Sequence, residues 1–594
     1  MSDADKMRWD LSQLVDFDDP AYVEERMTAA VEAADEVREK YRGKIPSFNA
    51  EQLHKMLKHL ESFSLTHEGP LKYSRMLYDA DMTKPEAKKL FNKFMQTTTL
   101  VNQKTAFVEL EVGELLKKNP DIVKDPVLSE YAHWLERISR RIPHMLSEKE
   151  EELAIAKDKN GVRAWFKLQG DWLATRTFDI EVDGKMETMP YGKIISLYQS
   201  PDRDLRRRAN EVVYKKLGED HIVWSSALQS VCSDHLTMCK LRNWESPMHQ
   251  SLIDNDVDSQ TIEALMNTIE KSVGIYRNYL KLKAKVLGLE TLGNWDIDAP
   301  LPNAPDKKYT WEEARKIVTS AYSEFDEEIG GWIDEMYAKR HIDGEVREGK
   351  RSGAYCSTWH NGKSAFILQS FNGILGDLYT QAHELGHAMH AYLGTRAQGP
   401  LNYEIGSCIA ETGSIFGELL LTEKLLATVE TKEEKQAVLA TVLDEFGAAA
   451  FQVSTRVWFE TMLYQSLQDG FALDGEKVSE LWLKARDKMY GNAVEWLPEM
   501  RWWWTMKLHF YMPNYRYYNY PYVYAQLFVY AMYRLYREQG KDFVPKLKAL
   551  LGAGSSKSPR DLAAEIGFDV ATEEFWQKGI EQFNEFVEQF EETL

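Results

Sequence analysis

Cysteine is scarce: four residues in a chain of 594. So few thiols cannot staple a polypeptide of this length, which excludes a disulfide framework and makes a reducing cytoplasm the expected compartment. Cys232 and Cys239 are seven apart, which is not the spacing of a paired-cysteine metal site. Cys356 and Cys408 read as small buried hydrophobes. Positive charge is also in deficit, 73 Lys and Arg against 93 Asp and Glu, and the formal net charge of −20 argues against nucleic acid and anionic membranes as partners. The short basic run Arg206-Arg207-Arg208 stands beside Asp202 and Asp204 and reads as a solvated helix face. No apolar run of transmembrane length is evident, and residues 1–20 are acidic and mixed, so neither a spanning helix nor a signal peptide is expected. Internal repeats and low-complexity tracts are lacking too. What remains is a globular composition, 44% hydrophobic and 28% charged. The chain is too long for one core, so two or more subdomains are expected.

One segment concentrates the chemistry: Gln381-Ala382-His383-Glu384-Leu385-Gly386-His387-Ala388-Met389-His390. On a helix, residues i and i+4 stand on one face, so His383 and His387 can aim their imidazoles at one metal ion. Glu384 is displaced by roughly 100° around the helix and can reach a water on that metal without taking a ligand position. Two neutral nitrogens, an open coordination position and a nearby carboxylate are what a zinc hydrolase needs to activate water. A chance H-E-x-x-H arises in on the order of a few per cent of chains with this histidine content, so the surroundings must decide. They favour a site: Leu378, Ala382, Leu385, Ala388 and Met389 make the helix apolar, and imidazoles on a buried helix need partners.

A third ligand is needed. Metzincin spacing requires Gly at 390 and His at 393, where this chain has His390 and Leu393. A carboxylate from a following helix is the alternative. Glu411, set among Ile409, Ile415 and Phe416, is the leading candidate and Glu404, in a loop-like stretch, its rival. Glu418 lies seven residues beyond Glu411 and can either hold a ligating histidine by its second nitrogen or form a plain ion pair. His390 falls on the motif face, where it can orient the site or simply pack.

These residues resemble the M3 family of zinc oligopeptidases, and within it the oligoendopeptidase F branch. The likeness rests on H-E-L-G-H-A-M-H followed by A-E-T-G-S-x-x-x-E, with Glu411 28 positions after His383. Three further stretches agree: Gly349-Lys350-Arg351-Ser352-Gly353-Ala354-Tyr355, the strand-like Phe366-Ile367-Leu368-Gln369, and a tyrosine-rich run after His509. The likeness is specific from about Gly349 to Phe528; toward the N-terminus length and helical content fit but no motif decides. The resemblance implies that His383, His387 and Glu411 bind one zinc ion and that Glu384 is the general base. It further implies that His509 and Tyr522 hydrogen-bond the substrate carbonyl and the developing oxyanion, with Tyr515 and Tyr518 as rivals to Tyr522. Gly353, Tyr355 and Tyr515 are the expected substrate-binding residues. Most tyrosines of the run are expected in the core, with two or three reaching substrate.

Along the chain, Val23, Met27, Val31, Ala34, Val37 and Tyr41 step at helical spacing, and amphipathic segments follow at about 50–65, 85–118, 127–140 and 147–157. Residues 177–189 alternate around Asp183-Gly184 and predict a hairpin. Helices dominate from about 200 to 345, with a break near Ala299–Pro305; strand signals return at 353–370. Ser558 before Pro559 reads as a helix start, and a closing amphipathic helix carries Trp576, Ile580, Phe583, Val587 and Phe590.

The expected fold is mainly α: a zincin-like helical catalytic domain with a small β element over 191–594, its motifs within 349–528, and an N-terminal helical subdomain over 1–190. By resemblance the latter encloses a deep substrate channel. The expected activity is endopeptidase cleavage of short unfolded peptides. A carboxypeptidase or dipeptidyl carboxypeptidase on the same scaffold and a non-catalytic helical binding module are the alternatives. Oligomeric state is not legible.

Overall fold

The computed structural model describes residues 7–302 and 307–594. The chain is mainly α, 73% helical, with short strands. It divides into two compact units that are both discontinuous in sequence. The first comprises Met1–Ile142, Asp306–Thr428 and Met532–Phe568; the second comprises Pro143–Pro305, Val429–Ala531 and Asp569–Leu594. The boundary expected at 190 therefore falls inside the second unit.

The first unit opens with the long helices Pro20–Tyr41, Ala50–Ala80, Pro85–Thr105, Phe107–Lys118 and Ala132–Arg141. Asn49 caps the second of these with a reciprocal bond to Gln52. That helix runs past the expected end near 65 and continues through Pro70 to Ala80. The missing Pro70 N–H costs one internal bond, but each half is anchored by burial: Leu57 in one apolar cluster, Tyr73 and Met76 in another. A three-stranded sheet follows, in the order Ile342–Asp343, Ser364–Leu368, Tyr355–Trp359. The central strand Ser364–Leu368 is buried throughout, which explains its continuous apolar reading. Phe366 and Leu368 pack into one core with Trp9, Leu14, Met27 and Tyr73.

Two helices of this unit set up the candidate site: a motif helix, Leu375–Ala397, and a carboxylate helix, Thr412–Thr428. Asp377 starts the motif helix by accepting the backbone N–H of Asn372 at 2.6 Å and of Ile374 at 3.1 Å. The helix stops at Gln398, before Gly399 and Pro400. Gly386 and Gly413 face each other where the two helices cross: a Cβ on either one would collide with the other's carbonyl oxygen. Glycine at both positions is what lets the backbones approach so closely.

The second unit holds the hairpin Thr177–Val182 and Lys185–Pro190, antiparallel, with Asp183 (φ 50) and Gly184 (φ 74) at its turn. The Asp-Gly pair takes the left-handed conformations that a two-residue hairpin loop needs. Helices Arg203–Gly218, His221–Leu241, Ser259–Val286, Gly475–Tyr490 and Glu573–Glu591 build the rest. Residues Lys432–Gln468 form one continuous helical stretch of 37 residues, interrupted by a π-helical segment at Gly447–Gln452. It is long and apolar enough to cross a membrane by length and composition, which the sequence reading missed, but most of its apolar window is buried within the protein. It reads as a core helix. Helix Pro559–Glu565 begins with Ser558 accepting the Asp561 N–H. The break expected at Ala299–Pro305 lies in part outside the described residues.

Candidate functional site

The motif helix carries His383 and His387 one turn apart. Glu411 enters from the short break between the helical turn Ser407–Ala410 and the carboxylate helix. Its Oε2 lies 3.4 Å from His383 Nε2 and 3.2 Å from His387 Nε2. The Ser414 hydroxyl donates to the same oxygen at 2.6 Å, which fixes the carboxylate's direction. Ligand atoms of His383, His387 and Glu411 all fall within 4.8 Å of one another, and among the described residues this is the one such group of three that could hold a metal ion. Glu404, the rival, is exposed in the wall of the adjoining cleft and outside that group.

Glu418 reaches the other side of His383: its Oε1 lies 2.5 Å from Nδ1. A ring whose Nδ1 donates to a carboxylate presents Nε2 as a free lone pair, the tautomer a metal requires. His390 is buried beside the cleft and is not part of the group. Burial and the neighbouring His387 hold it neutral, with a pKa pulled down to about 3.

The electrostatics fit an acidic nest around two imidazoles. Burial disfavours charge on His383, but the Glu418 hydrogen bond and the charges of Glu418, Glu411 and Glu384 outweigh it and raise the pKa to about 9. Burial likewise opposes charge on Glu411, yet the His387 hydrogen bond, both imidazoles and Ser414 bring it down to about 2. Glu384 is pushed up by burial, with His383 and His387 offsetting part of the rise. Its Oε2 is buried and has no hydrogen-bond partner. Two imidazole nitrogens, one carboxylate and a neighbouring unpartnered carboxylate oxygen are the donor set of a hydrolytic zinc site, so the residues present fit that ion.

A cleft of about 800 Å³ opens over these groups. Tyr355, Cys356 and Thr358 line it from the edge strand, and Glu109 and Trp134 from the N-terminal helices. Sequence reasoning missed Glu109 and Trp134: each is one residue on an amphipathic helix with nothing local to mark it. Tyr355 also donates its hydroxyl to Asp79 at 2.9 Å. Gly353 sits at φ +87, a left-handed conformation that turns the chain into the edge strand. Lys350, three residues earlier, is a structural pin: its ammonium is buried and donates to Asp343 Oδ1 at 2.6 Å and to the carbonyls of Glu345 and Gln369.

The remaining predicted residues belong to the second unit. His509 packs on Tyr518 with ring centroids 4.7 Å apart, and Tyr522 donates its hydroxyl to that of Tyr518 at 3.0 Å. Tyr515 meets Tyr518 edge-on. Burial, then the charges of Lys507 and Arg456, lower the His509 pKa to about 4, so the ring is neutral at physiological pH. Tyr511, Tyr517, Tyr520 and Tyr524 are buried, which leaves Tyr515, Tyr518 and Tyr522 as the accessible members of the run.

Comparison with known proteins bears on the family and the fold. The model described as Peptidase family M3 matches residues 196–582, and the one described as Oligopeptidase F matches residues 120–178, a part of the chain where no motif had decided. Oligopeptidase PepF of Bacillus subtilis is 27% identical over 563 residues, covering 93% of this chain and 83% of its own. Group B oligopeptidase PepB of Streptococcus agalactiae is 28% identical over 542 residues, 88% and 87% of the two chains. Among solved structures, oligoendopeptidase-F from Enterococcus faecium superposes with a TM-score of 0.69 at 22% identity, over 96% of this chain and 98% of its own. A Chlamydophila abortus protein reaches 0.89 at 21% identity over 99% and 98%. At these identities the structural likeness speaks for the fold. With the M3 model spanning well over half its length, the chain belongs to peptidase family M3, in the oligopeptidase F branch.

Proposed function

We propose that the protein is a zinc-dependent endopeptidase that hydrolyses short unfolded peptides. The observation that carries this reading is the convergence of His383, His387 and Glu411 within 4.8 Å, beside the unpartnered buried oxygen of Glu384. His383 and His387 offer Nε2 and Glu411 offers Oε2. A zinc ion held by these three side chains would supply a Lewis acid and make water acidic enough, towards a pKa of ~7, to give up a proton. Glu384, its own pKa raised by burial, takes a proton as water attacks the scissile carbonyl and returns it to the departing amine nitrogen.

His509 and Tyr522 donate to the carbonyl oxygen as negative charge develops on it. The neutral ring of His509 and the accessible hydroxyl of Tyr522 support those roles. Among the described residues, strand Tyr355–Trp359 pairs with a neighbouring strand on one side only, so its other edge can receive an extended peptide by strand addition. Tyr355 and Gly353 then flank the peptide, with Tyr515 as a further contact. Glu109 and Trp134 support a cleft walled by the N-terminal helices, which admits an unfolded chain and turns away a folded one. Four cysteines in 594 residues suit a reducing cytoplasm.

A peptide-library digest with and without chelator, followed by zinc add-back, tests the reading. Activity should vanish and return, and products of peptides blocked at either end should retain internal cleavage. Glu384→Gln should bind zinc normally and lose activity by about 10²–10⁴-fold. A variant that cleaves at the wild-type rate would remove Glu384 from the mechanism. Cleavage that requires a free terminus would replace the endopeptidase reading with an exopeptidase one.

A further inference from the structure

The second unit contains a cavity of its own, of about 260 Å³, whose lining includes Trp295, Asp298, Thr455, Arg456, Trp503 and Lys507. At roughly 30 Å³ per water this is room for about eight or nine waters, enough for one small molecule or one terminal residue but not for a length of peptide.

Its charge is unusual for this unit. Elsewhere the unit neutralises its buried cations: Arg516 pairs with Glu460 at 2.8 Å, Arg206 with Asp296 at 2.8 Å, and Lys283 with Asp444 at 2.7 Å. Among the described residues, Arg456 and Lys507, both half-buried, have no carboxylate partner and donate no hydrogen bond to a protein group. Arg456 lies 5.5 Å from the centroid of the Trp503 ring, which leaves its N–H edge available. Asp298, the carboxylate in the lining, makes no ion pair with either cation, and burial pushes its pKa up, against the charged form. Burial and the adjacent Arg456 bring Lys507 down to about 8, a sign of two like charges held together without an anion.

Two further groups point the same way. Trp295 and Thr455 are 4% and 1% exposed, and Trp295 Nε1 and Thr455 Oγ1 have no hydrogen-bond partner. Buried donors are seldom left so, because taking them from water without a new partner is costly. Trp482 and Trp503, stacked 4.3 Å apart, add an aromatic wall. A guanidinium fork, an ammonium, two spare donors and flat apolar walls match one chemistry: an anionic oxygen pair on a small apolar body.

We propose that this cavity binds a carboxylate carried on a small apolar or aromatic group, with a lining that shares no residue with the His383–His387–Glu411 cluster. The carboxylate has two sources. It is either a free small acid or the C-terminus of a peptide, since Lys507 stands two residues before His509. The second source rests on the peptidase reading above; the first does not.

Phenylacetate is the probe, titrated into the full-length zinc-loaded protein and followed by calorimetry and tryptophan fluorescence. Saturable one-to-one binding is expected, with phenylacetamide failing to compete. Arg456→Gln and Lys507→Gln should each weaken binding by about tenfold or more, the worth of a charge-assisted hydrogen bond. Glu411→Gln should leave it intact. Loss of binding in Glu411→Gln but not in the cavity variants would place the carboxylate on the metal and overturn the proposal. Should either Gln variant melt early, the wild type still decides. Phenylacetate should protect Lys507 from acetylation in a mass-spectrometric map, and undiminished labelling would overturn the proposal. Peptides with a free or an amidated C-terminus separate the sources. A lower KM for the free acid that disappears in Arg456→Gln assigns the cavity to the substrate terminus, and equal KM values assign it to a free acid.

Discussion

His383 is held between two carboxylates: Glu418 Oε1 lies 2.5 Å from its Nδ1 and Glu411 Oε2 lies 3.4 Å from its Nε2. The first fixes the tautomer and ring plane, and the second shares the face on which a cation would sit. Removing the orienting carboxylate should therefore weaken the metal without removing a ligand. Glu418→Ala is expected to lose about 10–100-fold in zinc affinity. Competition with a chromophoric chelator measures it. Activity should recover largely at saturating zinc; unchanged affinity would reduce Glu418 to a packing role.

The crossing of Gly386 and Gly413 makes the site depend on backbone distance. A methyl at Gly386 meets the Gly413 carbonyl, and that carbonyl belongs to the helix that starts next to Glu411. Gly386→Ala should push the two helices apart, destabilising the protein by about 1–3 kcal/mol as overpacking does. Glu411 should move off the imidazoles at the same time. Thermal unfolding and zinc affinity should fall together. A variant with a wild-type melt and weakened zinc would confine the effect to the site, and one with neither change would show that the crossing relaxes freely.

Sequence and structure agree where a local rule was enough. The i, i+4 spacing of His383 and His387 is a property of any helix, and Asp183-Gly184 carries its own turn geometry. The proposed third ligand was less legible. Glu404 and Glu411 are both glutamates beyond the motif helix, and spacing alone left them as rivals. What separates them is the break before Thr412, which turns Glu411 inward while Glu404 stays in the cleft wall. The interleaving of the two units was not legible, because it depends on which distant segments share a core. The π-helical insertion at Gly447–Gln452 was hidden as well: its residues are ordinary helix formers, and Gly447 is required by the Tyr276 ring that lies against it.

Proton linkage gives the metal site a defined pH response. In the metal-free protein the raised pKa of His383, from 6.5 to about 9, contributes stability that is complete below pH 6.5 and lost as pH rises through about 9. The lowered pKa of Glu411, from 4.5 to about 2, contributes stability present above pH 4.5 and lost as pH falls through about 2. Both contributions are whole between 4.5 and 6.5. Zinc needs His383 unprotonated, so near neutral pH its binding should release about one proton, and its affinity should climb with pH until about 9. Calorimetry in buffers of different ionisation enthalpy counts the proton. A count of zero would mean that His383 is already neutral before the metal arrives.

The tyrosine run offers three accessible hydroxyls, on Tyr515, Tyr518 and Tyr522, and the proposed oxyanion role can belong to only part of that set. Tyr522 donates its hydroxyl to that of Tyr518 at 3.0 Å, so a substrate oxygen has to compete for that bond. A donor recruited only as charge develops should register in kcat rather than in KM. Tyr522→Phe is accordingly expected to lower kcat by about 10²–10³-fold with little change in KM, and Tyr515→Phe to act chiefly on KM. His509, neutral with a pKa near 4, should contribute no limb to the kcat profile between pH 5 and 8, so its loss should lower the curve without moving it. If Tyr518→Phe gives the larger fall in kcat, the donor is Tyr518, and Tyr522 serves to orient it.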